Sequence, residues 1–520
     1  EITYKDGETE TIPTDRTWMT HPSPVLKNNV YAGEFYDARL ETPVHGASRE
    51  GWTPAAVIKR PTQRLESQIL PPVVVTRDVL PKKIFTPKPA VWVFDFEQNF
   101  AGFATLHLKG VPAGTPIYLR YSEWADDRGN INPISDGSFA TNVHQADCYI
   151  TKGAAEETWT PSFTWHGFRY IEVTGLADKP AIDLLTGHLV RSGVRPIGSF
   201  ESSDPHLNRI HKTALWTYES NLISIPSDCP VRERCGWTGD AHATLTMSNY
   251  NYDMAAFWEK YLGDFRTSDH ITPSIVPGKR GGGNKPDWAV AQVLVAWEHY
   301  LNYADTQLLR AHYDGLQAFM EYYHSVRGDG IYQNVGYGDW CDPVRVPGTP
   351  RVGGAGKPQH TTPEVTTTGL FIYGADCMRR IAAVLGDAEG VKQYTAWYNE
   401  AAAVFQERFF DKARKSYGSQ TADAMALSFG IVPAKLRGAV AESLKQDVLE
   451  NWNGHASVGA LGHRWLYPAL GDAGYADAAL GTFYAQGHPG FYYLFDELKG
   501  TTLWDRKGAY DPATHEAPDR

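Results

Sequence analysis

The chain changes period near Ser202, and this change limits what it folds into more than any other feature. Before it, apolar residues come in short runs cut by turn formers. Val91–Phe96, Ala104–Leu108, Ile117–Tyr121, Ala146–Ile150 and Tyr170–Val173 are each bounded by Gly, Pro or Asn, the pattern of short antiparallel strands. Glu1–Tyr4 and Thr9–Ile12 flank the turn Lys5-Asp6-Gly7, and Tyr31–Arg39 and Ala55–Lys59 continue the strand-like runs. Pro13, Pro22, Pro24, Pro43, Pro54 and Pro61 exclude a helix of any length there. After the change, Leu207, Ile210, Ala214, Leu215 and Tyr218 recur at helical spacing. They follow Ser202-Ser203-Asp204-Pro205, a capping residue ahead of a first-turn proline.

Further helical stretches are expected over 241–262, 287–304, 306–327, 363–385, 389–411, 433–449, 456–468 and 471–485. Repeated helical hairpins joined by short loops suggest an (α/α)6 toroid. The expected fold is therefore multidomain: N-terminal antiparallel β-sandwich domains followed by an (α/α)6 barrel. A partial sandwich is expected over 1–80, a second over 81–200 and the barrel over 201–520. The tail Arg506–Arg520 is polar and shows no closing helix, so the barrel is expected to be incomplete at its C-terminal end.

Composition removes several classes of function. A length of 520 residues exceeds a single core. The net charge of −11 leaves no general basic character for nucleic acid or an anionic membrane, and no run of apolar residues is long enough to cross a bilayer. Cys148, Cys229, Cys235, Cys341 and Cys377 form no CxxC pair or zinc-like cluster, and no EF-hand-like loop is present. No cofactor, disulfide framework or metal at the site is expected, and a structural Ca²⁺ in a β-domain stays open. The chain opens at Glu1 without Met, which suggests a processed product that is secreted or periplasmic, with a cytoplasmic location as the alternative. Oligomeric state is not written in any feature of the sequence.

The chemistry concentrates in residues 228–240, which read Asp228-Cys-Pro-Val-Arg232-Glu233-Arg234-Cys-Gly-Trp237-Thr-Gly-Asp240. Carboxylates accept sugar hydroxyls and move protons, and a flat indole stacks on a pyranose face. A solvated loop laced with ion pairs is the plain alternative. A second acidic cluster, Asp496, Glu497 and Asp505, lies near the C-terminus. Glycoside hydrolysis uses two carboxyl groups on opposite sides of a pocket. Two polar-aromatic stretches, Asp95–Asn99 and Trp165–Tyr170, suit packing between domains better than ligand binding.

The loop DCPVRERCGWTGDAH resembles the signature of the glycoside hydrolase family 78 α-L-rhamnosidases. The segments VFDFEQNFAGFATLHLKG (93–110), PSFTWHGFRYIEVTG (161–175), PDWAVAQVLVAWEHY (286–300), GDW (338–340) and KGTTLWD (499–505) resemble the family in the same order. The resemblance implies release of terminal α-L-rhamnose from rhamnosides or rhamnose-containing polysaccharide, with inversion. One carboxyl then protonates the leaving oxygen, and a second activates water at about 6.5–9.5 Å from it. Glu233 takes the acid's place. Asp228, Arg232, Trp237 and Asp240 would bind the sugar, with Asp287, Trp288, Asp339 and Trp340 lining it and His515 following the base. The base, a Glu in the family, is Asp505 here, with Glu497 as the fallback. The missing methylene moves the carboxylate by about 1 Å, a displacement that can cost on the order of 100-fold in rate. Val290 stands where the family often has an Asp. These departures keep two other readings open: an (α/α)6 glycosidase for a different terminal sugar, and a carbohydrate-binding homologue that no longer turns over. The first residues resemble the middle of the family's N-terminal sandwich, so a fragment of a longer chain is expected.

Overall fold

The computed structural model describes residues 2–42, 49–59, 67–131, 137–138, 143–268, 271–278, 285–333, 335–343 and 358–504. The change of period near Ser202 is a change of architecture. Every named strand ends by Ser192 and every α-helix starts at Pro205 or later. The fold class is the expected one, a β-sandwich region followed by helical hairpins of the (α/α)6 type.

One ten-stranded sheet organises the first part. Its strands run in the order Val25–Asn29, Gly33–Asp37, Ala146–Ile150, Pro116–Ser122, His166–Thr174, Val91–Lys109, Leu185–Ser192 and Val73–Val79, while Glu156–Trp159 and Lys83–Lys88 also pair with Val91–Lys109. The long strand Val91–Lys109 changes partners along its length. Its first half lies against His166–Thr174 and its second half against Leu185–Ser192. Phe94, Phe96, Phe100, Leu119, Tyr121, Phe168, Ile171 and Leu189 close the core within it. The opening hairpin is also as expected, with Ile2–Thr3 paired to Thr9–Glu10. The division drawn at residue 80 does not coincide with a break in pairing, because Gly33–Asp37 runs parallel to Ala146–Ile150. Strands from both expected sandwiches thus share one sheet. Periodicity marks a strand but not its partner.

Pro205–Ser220 begins as its sequence requires, with the Asp204 carboxylate accepting from the His206 N–H and Pro205 in the first turn. Asp305 and Asp387 cap Thr306–Ser325 and Ala388–Phe409 in the same way. The stretch expected at 241–262 is three helices, Thr238–Ala243, Leu245–Asn251 and Ala255–Arg266. The break falls where Asp253 N–H donates to the Arg195 carbonyl and Met254 N–H to the Tyr303 hydroxyl. Those donors are therefore lost to any continuous helix. Gln420–Ser428 was not expected. Its residues from Gln420 to Leu427 are all buried, the polar Gln420, Thr421 and Asp423 included, so no exposed face alternates with a buried one to mark it in sequence. A large apolar core fills the helical part, around Trp258, Tyr261, Leu294, Phe319, Phe371 and Met425. No described helix is long and apolar enough to cross a membrane.

Candidate active site

The loop 228–240 leaves Pro205–Ser220 and ends in the first turn of Thr238–Ala243. Asp228 closes its neck. Its carboxylate accepts the Cys235 N–H at 2.9 Å and the Cys229 thiol at 3.0 Å, and its own N–H donates to the Cys235 carbonyl. The Cys229 sulfur in turn accepts the Glu233 N–H at 3.3 Å. The five cysteines form no disulfide. Beyond the neck the loop joins Ile275 through Trp237, with Thr238 N–H donating to the Ser274 carbonyl.

Glu233 is half-buried, and its carboxylate accepts the Trp237 indole N–H at 3.0 Å. Trp237 is also half-buried and stands edge-on to Tyr337, with ring centroids 5.7 Å apart. Tyr337 meets Trp288 at 5.0 Å and Trp340 at 5.9 Å. The Lys285 ammonium lies 4.7 Å from the Tyr337 ring. The structure therefore gathers Glu233, Trp237, Trp288 and Trp340 around a residue that sequence reasoning missed. The one signal for Tyr337 was its place beside the Gly338-Asp339-Trp340 segment. Burial raises the Tyr337 phenol against the lowering contact with Ser274, with the Asp287 and Glu233 charges acting in the same direction as burial. Trp288 is packed so closely on the start of Thr238–Ala243 that a Cβ on Gly239 would lie 2.2 Å from its indole.

Two other expected carboxylates are fully buried and engaged by backbone. Asp287 accepts from the N–H groups of Trp288, Tyr337 and Gly338 at 2.7–3.1 Å. Asp339 accepts from the Thr421 hydroxyl at 2.5 Å and from the N–H groups of Gly459, Leu461 and Gly462 at 2.8–3.1 Å. Burial pushes both carboxyls up to about 6, against the opposing pull of these donors. Both residues hold loops in register. Asp240 and Arg232 are half-buried at the loop's far end and tip. Val290 is buried where the helix Ala291–Tyr303 begins.

Arg234 faces away from this cluster. It is buried in the sandwich, donating to the carbonyls of Pro230, Val30 and Trp165 and to the Gln145 side chain. Burial pulls its guanidinium down to about 10.

The C-terminal acidic segment is tied to the same sandwich and to the helix Pro205–Ser220. Gln98 donates to the Thr501 carbonyl at 3.0 Å, Asn99 N–H to the Thr501 hydroxyl at 2.9 Å, and Leu503 N–H to the Thr217 hydroxyl at 2.7 Å. Trp504 is buried against Leu494 and Phe495. Glu497 is exposed at the end of the turn Tyr493–Glu497, and Asp496 pairs with Arg209. Asp505 and His515 lie outside the described residues. Among the described residues no group of three or more His, Cys, Asp or Glu side chains is placed to hold a metal ion.

A sandwich joined to helical hairpins, with an acidic and aromatic cluster on the loops near their junction, defines a protein of the six-hairpin glycosidase type. The family models divide along the chain accordingly. An α-L-rhamnosidase N-terminal domain matches residues 1–77, a bacterial α-L-rhamnosidase concanavalin-like domain 85–191, and a bacterial α-L-rhamnosidase six-hairpin glycosidase domain 195–517. The α-L-rhamnosidase of Formosa agariphila is 31% identical over 100% of this chain and 56% of its own length, and that of Streptomyces avermitilis 32% over 98% and 48%. Among solved structures, the α-L-rhamnosidase from Dictyoglumus thermophilum superposes with a TM-score of 0.90 at 30% identity, over 98% of this chain and 57% of that one. The Streptomyces avermitilis enzyme complexed with L-rhamnose gives 0.88 at 30% identity, over 98% of this chain and 48% of that one. The chain belongs to the bacterial α-L-rhamnosidase family. It spans about half the length of the curated relatives it matches.

Proposed function

We propose that this chain carries the catalytic apparatus of an inverting α-L-rhamnosidase, releasing terminal α-L-rhamnose from a rhamnose-containing glycoside or polysaccharide. The observation that carries the reading is the half-buried Glu233 carboxyl at the edge of the Trp237–Tyr337–Trp288–Trp340 aromatic cluster, hydrogen-bonded to the Trp237 indole. In this reading Glu233 is the general acid and gives its proton to the glycosidic oxygen as the bond to the anomeric carbon breaks. A water on the opposite face loses its proton to a second carboxylate and attacks that carbon, so the configuration inverts. Asp505 is our assignment for that base, with Glu497 second because it stands exposed on the preceding turn. Trp237 and Trp340 offer apolar surface to the ring face and C6 methyl of a 6-deoxy sugar, with the buried Trp288 backing them through Tyr337. Arg232 and Asp240 are assigned to its hydroxyls. Asp228 and Asp339 are assigned first to holding the loops beneath it, because described donors already engage both oxygens of each. His515 is kept as a contact near the base.

The test is release of rhamnose from an alkyl α-L-rhamnoside, whose leaving group needs the proton, by this chain, beside Glu233→Gln and Asp505→Asn, with the first-formed anomer read by NMR. β-L-Rhamnose as the first product, with loss of turnover in both variants, is expected. α-L-Rhamnose first overturns the inverting mechanism, and full turnover in Asp505→Asn moves the base elsewhere.

A further inference from the structure

The acid-bearing loop is gripped by the β-sandwich at the backbone of the acid itself. The Tyr31 hydroxyl, on the turn between Val25–Asn29 and Gly33–Asp37, donates to the Glu233 carbonyl at 2.6 Å. The next residue, Arg234, has left-handed backbone, at φ +52°. That turn lets its guanidinium enter the sandwich while the Glu233 carboxylate meets the Trp237 indole. Within the sandwich the guanidinium lies 4.2 Å from the Trp165 ring and 5.3 Å from the Tyr31 ring. It bonds to carbonyls of Val30 and Trp165 and to Gln145, whose side chain also exchanges hydrogen bonds with Gly167. A cation this deeply buried and bonded to neutral acceptors is costly for stability alone, which points to a positional use. Gly167 closes the contact from the other side. A Cβ there would stand 2.6 Å from Val231 and 2.9 Å from Pro230.

We propose that the sandwich is a working part of the acid machinery: Tyr31 and Arg234 are positioning residues that fix the Glu233 backbone, and through it the direction of proton delivery. Neither touches the sugar. Both residues act through Glu233, so the proposal rests on its assignment as the acid. Its signature follows from the chemistry. A displaced acid slows departure of a poor leaving group, which needs the proton, and spares an activated one, which does not.

The experiment compares kcat and KM of the full chain, Tyr31→Phe and Arg234→Lys on an alkyl and a dinitrophenyl α-L-rhamnoside. Tyr118→Phe, a half-exposed phenol on the same sheet, serves as the control. Tyr31→Phe is expected to lower kcat on the alkyl rhamnoside by about tenfold or more while dinitrophenyl turnover stays within about twofold and KM holds. Arg234→Lys, which keeps the charge and loses the fork, is expected to follow the same pattern. Equal losses on both substrates, or none on either, overturn the proposal. Amide hydrogen exchange over residues 228–237 tests it without any substrate. Faster exchange in Tyr31→Phe is expected, and unchanged exchange overturns the proposal. If the unmodified chain releases no rhamnose at all, the functional reading fails while the exchange result still decides the positioning.

Discussion

The loops 228–240 and 336–340 meet at one aromatic contact, Trp237 against Tyr337, yet they use their carboxylates in opposite ways. Glu233 is half-buried and is met by one indole N–H. Asp339 is fully buried and met by a hydroxyl and three backbone N–H groups. The first retains lone pairs for a ligand. The second has committed them to its neighbours. Residue type is shared, and burial with donor count separates a group able to do chemistry from one that shapes the chamber.

The most demanding check of this contrast is to exchange the consequences. Glu233→Gln is expected to lower kcat on poor leaving groups by about 10²–10⁴-fold with little change in thermal midpoint. A comparable loss of activity in an Asp339 variant of unchanged stability would erase the distinction. Asp339→Ala strands the N–H groups of Gly459, Leu461 and Gly462 and the Thr421 hydroxyl. At about 1–3 kcal/mol for a buried orphan, urea unfolding of the helical region should show a loss of about 3 kcal/mol or more.

The pH dependence of stability bears on the same contrast. Asp287 and Asp339 are raised by burial from the ordinary value of 3.8 to about 6. Between those values the folded protein holds more protons than the unfolded chain, so stability falls as pH rises from about 4 to about 6 and then levels off. A tenfold change in proton affinity is worth about 1.4 kcal/mol, so each group accounts for on the order of 2–3 kcal/mol across that window. Thermal melts of Asp287→Asn over the same window should be flatter than those of the unmodified chain. A stability that climbs steadily through the window would show that the donors, not burial, set these two carboxyls.

The smallest effect concerns the other acidic segment. Thr501→Val removes the hydroxyl that accepts the Asn99 N–H. If this segment carries the base, kcat should fall by about tenfold on activated and unactivated rhamnosides alike, unlike the leaving-group-dependent loss expected for Tyr31→Phe. A loss confined to poor leaving groups would place this segment on the acid's side.

Much of the fold was legible in the chain's order alone. The strand and helix regions separate at the change of period near Ser202 because alternation and helical recurrence are local properties of the chain. The capped start at Asp204-Pro205 was readable for the same reason. Where a feature depends on what surrounds it, reading failed. Gln420–Ser428 is buried from Gln420 to Leu427, its polar Gln420, Thr421 and Asp423 included, and so showed no periodic face. The stretch at 241–262 broke where partners from Arg195 and Tyr303 took its donors. The boundary at residue 80 falls between the matched domains, 1–77 and 85–191, but the strand pairing that crosses it is chosen between distant segments and was not readable.

The site divides in the same way. The signature 228–240 was readable from residue order, and with it the family and the pairing of Glu233 with an indole four residues on. A short loop keeps near residues near, so its composition is already geometry. Which of its charged groups face the aromatic cluster was settled only by the packing of distant segments. That packing turned Arg234 into the sandwich, engaged Asp228 at the loop's neck and Asp339 on a distant loop, and placed Tyr337 at the centre of three tryptophans. Desolvation and hydrogen-bond saturation depend on every segment that packs around a group, and no single stretch of sequence contains them.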